Sequence, residues 1–208
     1  MYLLNYISPP GLKAFREAIY MLDGDDSTKV SSAWQRCLGG IYVNHCFVFV
    51  PEHGFANTLR RWLRLPDLLD ARAAHRAVAD EENGRIFVTG GENELGDQMD
   101  LVEYCTLPSC SPTDSHSLLT WQRAAPMNQK RKYHALAYVK GKIVAVGGYT
   151  GRREVTQTVE VFTPPNHSNP SGQWTLLRPL RLGFNYPFAV AVDGGLFVFR
   201  ECLFIDPV

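Results

Sequence analysis

Along most of the chain the apolar residues fall into short runs bounded by turn residues, the pattern of twisted antiparallel strands. GRIFVTGG at 84–91 and GKIVAVGG at 141–148 share one frame: a turn glycine, an apolar strand and a closing glycine pair. A polar loop and a second strand running into proline follow each of them, DLVEYCTLP at 100–108 and TVEVFTPP at 158–165. FAVAVDGGLFVF at 188–199 reads as strand, turn and strand. One stretch departs from this pattern. After Pro9 and Pro10, GLKAFREAIYML at 11–22 spaces Leu12, Phe15, Ile19 and Leu22 by three and four residues, which predicts a short N-terminal helix. The acidic, turn-rich DGDDST at 23–28 then predicts a break.

The strand pattern is periodic. The two glycine pairs end 57 residues apart, and tryptophans open WLRLPDLLDAR at Trp62, WQRAAPMNQKR at Trp121 and WTLLRPLR at Trp174, at separations of 59 and 53 residues. Weaker copies flank the clear ones: LGG at 38–40 with CFVFVP at 46–51, and CLFIDP at 202–207 after Phe199, Arg200 and Glu201, which stand where a glycine pair belongs. A fixed period of this length is the mark of a stacked or radial repeat architecture. The expected organisation is a helical segment over 1–36 and repeats over 37–208, in approximate units 37–72, 73–131, 132–184 and a partial 185–208.

Glycine pair, following strand and later tryptophan together resemble the kelch repeat over about residues 37–208. The resemblance implies an all-β fold, an incomplete kelch β-propeller of about three to four four-stranded blades, where such propellers close with about five to seven. On that reading the chain is a fragment that exposes apolar faces at unprotected ends. Gly39, Gly40, Gly90, Gly91, Gly147 and Gly148 become structural repeat residues, since glycine takes positive φ and admits close backbone approach. Trp62, Trp121 and Trp174 become plates between blades. Arg72 and Arg131 each lie ten residues after their tryptophan and become ties through directed donors, whereas Trp174 plus ten is Phe184. His75 and His134, three residues after those arginines, read as hydrogen-bonded residues of separate blades, not joint metal ligands.

Composition removes several functions. Twenty-one basic residues balance twenty-one acidic ones, so no overall field recruits nucleic acid or an anionic membrane. Five cysteines without a CxxC pair fit a reducing compartment, and the start MYLLNYISPP lacks the basic region of a signal peptide, so a cytoplasmic protein is expected. A single glycosylation sequon, Asn166-His167-Ser168, does not change that. P-loop, GxSxG and HExxH signatures are missing. Cys37, His45, Cys46 and His53 lack zinc-site spacing, and Glu81-Glu82 and Asp25-Asp26 are adjacent pairs of the kind found in solvated turns. No catalytic residue, metal or cofactor is assigned, and the chain reads as a binder, not an enzyme.

What remains is loop surface. The loops after the glycine pairs differ in sequence and charge, and in kelch propellers they share one face with the loops joining successive blades. Glu92, Asn93, Glu94, Tyr149, Arg152, Arg153, Arg131, Lys132 and Tyr133 are therefore the candidate partner-binding residues. The resemblance implies a protein partner, with the chain as the substrate- or partner-binding propeller of a kelch-like adaptor of cullin-type ubiquitin ligases. Such adaptors carry BTB and BACK domains ahead of the propeller, and the helix at 11–22 would then be a BACK remnant. An actin-binding kelch protein is the alternative, and a propeller enzyme the remote one.

Overall fold

A computed structural model describes residues 19–22, 46–50, 61–80, 82–106, 120–152 and 154–200, the first three strands by their backbone pairing only. The described elements are all strands. Ile19–Leu22 (β1), Cys46–Val50 (β2) and Arg61–Leu65 (β3) form an antiparallel sheet in that order. Two four-stranded meanders follow: Arg76–Asp80 (β4), Arg85–Thr89 (β5), Val102–Thr106 (β6) and Trp121–Ala124 (β7), then Ala135–Val139 (β8), Lys142–Val146 (β9), Val159–Thr163 (β10) and Gln173–Leu176 (β11). Phe188–Val192 (β12) and Gly195–Phe199 (β13) pair as a last hairpin.

The helix expected over 11–22 is corrected at its end. Ile19–Leu22 is a strand, with Ile19 opposite Phe49 and Leu22 opposite Cys46. IYML is as apolar as a helix face, and pairing with the apolar CFVFV offers it a sheet that local spacing cannot foresee. Residues 11–18, and with them most of the expected helix, lie outside the described residues, as do Gly39, Gly40, Cys37, His45 and His53.

Each meander is one repeat. β5 and β9 are central strands whose burial runs through both faces, which is why RIFVT and KIVAV are apolar without alternation. β8 lies beside β4 on one side and β12 on the other, so the first strands of successive sheets are neighbours. The turn between β8 and β9 places Lys140 and Gly141 at φ 48° and 74°, and the β12–β13 turn places Asp193 and Gly194 at 49° and 74°. Both are the doubly left-handed turns that match strand twist in two-residue hairpins.

The core lies between sheets. Val78, Phe87, Ala124 and Met127 of the first meander and its connector meet Ile143, Ala145, Phe162 and Trp174 of the second. Phe162 stacks on Trp174 with centroids 4.8 Å apart and meets Phe87 edge-on at 5.8 Å. Beyond the second meander, Ala135, Val144, Val146 and Val159 pack against Ala189, Leu196 and Val198 of the last hairpin.

The tryptophans reach backwards across these layers. Trp121 Nε1 donates to the Pro66 carbonyl at 2.8 Å, and Trp174 Nε1 donates to the Ala125 carbonyl at 2.9 Å, each time just past the last strand of the preceding sheet. Both are buried, so the ring fills the gap between sheets and its one polar atom is satisfied there. Trp121→Ala should therefore cost about 3–5 kcal/mol, the range for truncating a core aromatic. Urea unfolding followed by circular dichroism measures it, and a loss below about 1 kcal/mol would place Trp121 outside the inter-sheet core.

Candidate functional site

The connector before each meander and the loop after each glycine pair leave the same end of the sheets. Ala73 and Glu92 exchange backbone hydrogen bonds of 3.0 and 2.9 Å, and Lys132 and Tyr149 repeat the exchange one unit later, at 3.0 and 2.9 Å. The loops at 92–101 and 149–158 thus belong to one face with the connectors at 66–75, 125–134 and 177–187. The turns at 140–141 and 193–194 and the loop at 164–172 lie at the opposite ends of the strands.

An ion-paired clamp beneath this face holds it. Arg72 and Glu103, at β6, are both fully buried and form a direct salt bridge. Arg72 Nη1 also donates to the carbonyls of Gly90 at 3.3 Å and Leu101 at 3.2 Å, while Glu103 accepts the backbone N–H groups of Leu69 at 2.7 Å and Asp70 at 3.3 Å. The next unit repeats this. Arg131 Nη2 meets Glu160 at 2.5 Å and Thr158 Oγ1 at 2.8 Å, its Nη1 donates to Gly147 O at 2.9 Å, and Glu160 accepts from Asn128 and Gln129 N–H at 2.8 and 3.2 Å. One buried pair thus joins connector, glycine pair and third strand. Burial lowers the pKa of both guanidinium groups and raises that of Glu103, against the attraction that keeps Arg72 and Glu103 charged.

The glycine pairs allow the layers to close. Gly90 and Gly91 have φ of 62° and 102°, and a Cβ on Gly91 would lie 2.6 Å from the Ala73 carbonyl. Gly148 repeats this against Lys132, whose carbonyl would be 2.5 Å from a Cβ. Gly91 N–H donates to Arg131 O at 2.9 Å and Gly148 N–H to Phe184 O at 3.0 Å, which identifies Phe184 as the third unit's counterpart of the repeat arginine. The residues two beyond each of these positions, Ala74, Tyr133 and Tyr186, share φ of 57°, 53° and 54°. A left-handed conformation at a β-carbon-bearing residue costs about 1–2 kcal/mol, and here it is a feature of the repeat.

His75 and His134 sit behind the connectors. His134 is fully buried with Nε2 2.8 Å from Thr89 Oγ1, and burial holds its pKa well below the usual value. Burial, then the charges of Arg72 and Arg76, pushes His75 down to about 3. Among the described residues no three metal-ligating side chains converge.

The structure sorts the candidate contact residues. Arg131 is fully buried in the clamp and cannot touch a partner, which corrects its place among the contact residues. Lys132 is tied to Glu92 by a salt bridge, and both are only partly exposed. Tyr133 and Tyr149 join Tyr186 in a half-buried cluster with centroids 6.3, 4.7 and 5.5 Å apart. Asn93 accepts the N–H groups of Leu95 and Asp97 through Oδ1, shaping the first loop. Glu94 and Arg152 project into solvent, and Arg153 lies outside the described residues. Sequence reasoning missed Leu95, 85% exposed at the tip of the first loop, and Tyr186. It also missed Glu103 and Glu160, although the glutamate at the second position of VEYCT and VEVFT marks them.

Among known families, the Kelch motif model matches residues 130–181. Kelch-like protein 26 of Mus musculus is 26% identical over 151 residues, covering 67% of this chain and 22% of its own. F-box protein AFR of Arabidopsis thaliana is 30% identical over 58% of this chain and 29% of its own, and Kelch-like protein 30 of Homo sapiens is 35% identical over 44% and 14%. The chain thus spans less than a third of each of these relatives. The solved structure of YjhT matches with a TM-score of 0.56 at 13% identity, over 74% of this chain and 44% of that one, a likeness of fold.

Two outcomes follow from the buried charges. Glu160→Gln leaves Arg131 buried without its counter-charge and should cost about 3–5 kcal/mol in urea unfolding, whereas Arg131→Met with Glu160→Leu should cost far less. A cost for Glu160→Gln below about 1 kcal/mol would mean that the pair does not hold the face. For His75, the folded pKa lies below the unfolded value of 6.5, so the unfolded chain binds the extra proton between about pH 6.5 and 3. Its contribution to stability is complete above about 6.5 and is lost as pH falls towards 3, at up to about 1.4 kcal/mol per pH unit. Denaturation at pH 7 and pH 5 should show a flatter dependence for His75→Gln than for the parent; equal slopes would contradict the burial of a neutral ring.

Proposed function

The chain is a kelch-repeat protein, and on that premise we propose that it is a protein-interaction module whose partner docks on the face formed by the connectors and the loops after the glycine pairs. One observation carries this reading: the loops are fixed at their bases by a buried frame that repeats, while their tips differ. The first presents Glu94, Leu95 and Asp97, all exposed, and the second Arg152 and Glu154. Rigid bases with unlike tips give selective contact at low ordering cost. The tyrosine cluster of Tyr133, Tyr149 and Tyr186 adds aromatic side chains of the kind enriched in binding hot spots.

The finer reading is that this partner is a substrate delivered to a cullin-type ubiquitin ligase, with the chain as the binding propeller of an adaptor. The likeness to two Kelch-like proteins supports it. An actin-binding role is separated from it by co-sedimentation with filaments.

Leu95→Ala combined with Arg152→Ala should lower capture of a partner identified by affinity purification at least tenfold. The melting temperature should stay close to the parent's, since exposed substitutions shift stability by no more than about 0.5 kcal/mol. His167→Glu, on the exposed loop at the opposite end of the strands, should leave capture unchanged. The reverse pattern, loss with His167→Glu and none with the double variant, would move the binding site to the other face.

A further inference from the structure

Beside the first loop the face is cut by a groove of about 450 Å³, with the loop at 93–101 as one wall and Lys130 of the connector as the other. A space of this size takes a small ligand or a few side chains, not a whole element. Its backbone is fixed. Met99 O accepts from Arg131 N–H at 3.1 Å, Asp100 O accepts from Met127 N–H at 2.9 Å, and Asn93 Oδ1 accepts from Asp97 N–H at 2.9 Å. Yet the carboxylates of Asp97 and Asp100, two of the lining residues, make no hydrogen bond or ion pair among the described residues. Other carboxylates at this end of the sheets are engaged: Glu92 with Lys132, Asp70 with Arg123, and Glu103 with Arg72.

The second unit repeats the frame of this groove without its chemistry. Thr150 N–H donates to Glu154 O as Asn93 N–H does to Asp97 O, and Leu180 N–H donates to Gln157 O as Met127 N–H does to Asp100 O. Gln157 thus holds the place of Asp100, and Gly183 that of Lys130. Val155 lies so close to Gly183 that a Cβ on the glycine would meet its Cγ1 at 2.9 Å. Thr156 and Thr158, in place of Met99 and Leu101, engage their hydroxyls with each other and with Gln129. Contacts within the chain occupy in the second unit what the first leaves open, so the two aspartates are no part of the repeating frame.

What the groove lacks is a counter-charge. On the reading that a partner docks on the loop face, we propose that this groove takes a single arginine of that partner, carried in an extended segment with an apolar neighbour. A planar guanidinium offers paired donors to carboxylates and is more weakly hydrated than an ammonium. Met99 and Leu101, which also line the groove, supply apolar surface for the arginine stem. Leu95, 85% exposed two residues before Asp97, meets the apolar neighbour. Lys130 at the opposite wall repels a second cation, so the preference is for one arginine and not for a basic run.

Fluorescence anisotropy of the full chain with short, blocked and labelled peptides tests this, one peptide carrying a single arginine between leucines and its control carrying citrulline at the same place. The arginine peptide should bind about fivefold tighter, the scale of a partly exposed charge-assisted pair, and the difference should fade at high salt. Asp97→Asn with Asp100→Asn should abolish the preference at an unchanged melting temperature, and Lys130→Ala should increase it. Equal or absent binding of the two peptides, a preference that survives the double asparagine variant, or one that Lys130→Ala weakens would each overturn the proposal. Capture of the purified partner separates this outcome from the docking reading. If Leu95→Ala with Arg152→Ala lowers capture and the double asparagine variant does not, the loop face stands and the arginine groove falls; if neither lowers it, the face falls and the groove with it.

Discussion

The buried arginine–glutamate clamp is the constraint on which the arrangement of each unit depends. Arg72 and Arg131 come from connectors with little regular structure of their own, yet each ends in a fully buried pair with a glutamate on the third strand of its sheet. Two ions out of water are expensive, and what offsets this around Arg72 and Glu103 is their hydrogen-bonded shell: carbonyls of the glycine pair and loop take guanidinium donors, and two connector N–H groups donate to the carboxylate. The same atoms fix the connector's path. Once that path is set, the glycine pair must pass within contact distance of connector carbonyls, and a β-carbon there would collide.

The third unit loosens this constraint. Phe184 replaces the arginine, Pro187 replaces the histidine, and Arg200 and Glu201 stand at the place of the glycine pair. The connector still follows the same route, because Gly148 donates to the Phe184 carbonyl and Tyr186 keeps the left-handed φ. Backbone hydrogen bonds thus preserve the path where the ion pair is gone. Around this junction Tyr133, Tyr149 and Tyr186 meet, whereas the equivalent positions one unit earlier are Ala74, Glu92 and Tyr133. The frame repeats and the side chains mounted on it do not, which gives a binding protein a fixed geometry with changeable chemistry.

The loop face and the outward face of β12–β13 differ in kind. The loop face is polar, with exposed tips over a buried, ion-paired base, and suits reversible recognition. The β12–β13 face is apolar and flat, and its residues are half-exposed only because no second sheet lies over them among the described residues. One is organised by hydrogen bonds and charge, the other by area removed from water.

Much of this was legible in the sequence. Strand positions, the period, the glycine pairs, the tryptophans and the place of the repeat arginines all follow from local pattern, because each unit solves the same packing problem with the same residue types at the same spacing. Local pattern could not tell that Ile19–Leu22 is a strand, since its partner is more than twenty residues away and either element buries the same apolar residues. Local pattern marked Arg131 as a repeat arginine yet also left it among the contact residues with Arg152, and only the approach of Glu160, 29 residues later, shows that it is taken out of solvent. The exposure of Leu95, and which residues of the last hairpin form the exposed apolar face, were hidden for the same reason, because burial is a property of what lies opposite a side chain. The sequence by itself determined the unit and its frame, through spacing that recurs; the tertiary structure decided which residues were spent on holding the frame and which were left to face a partner.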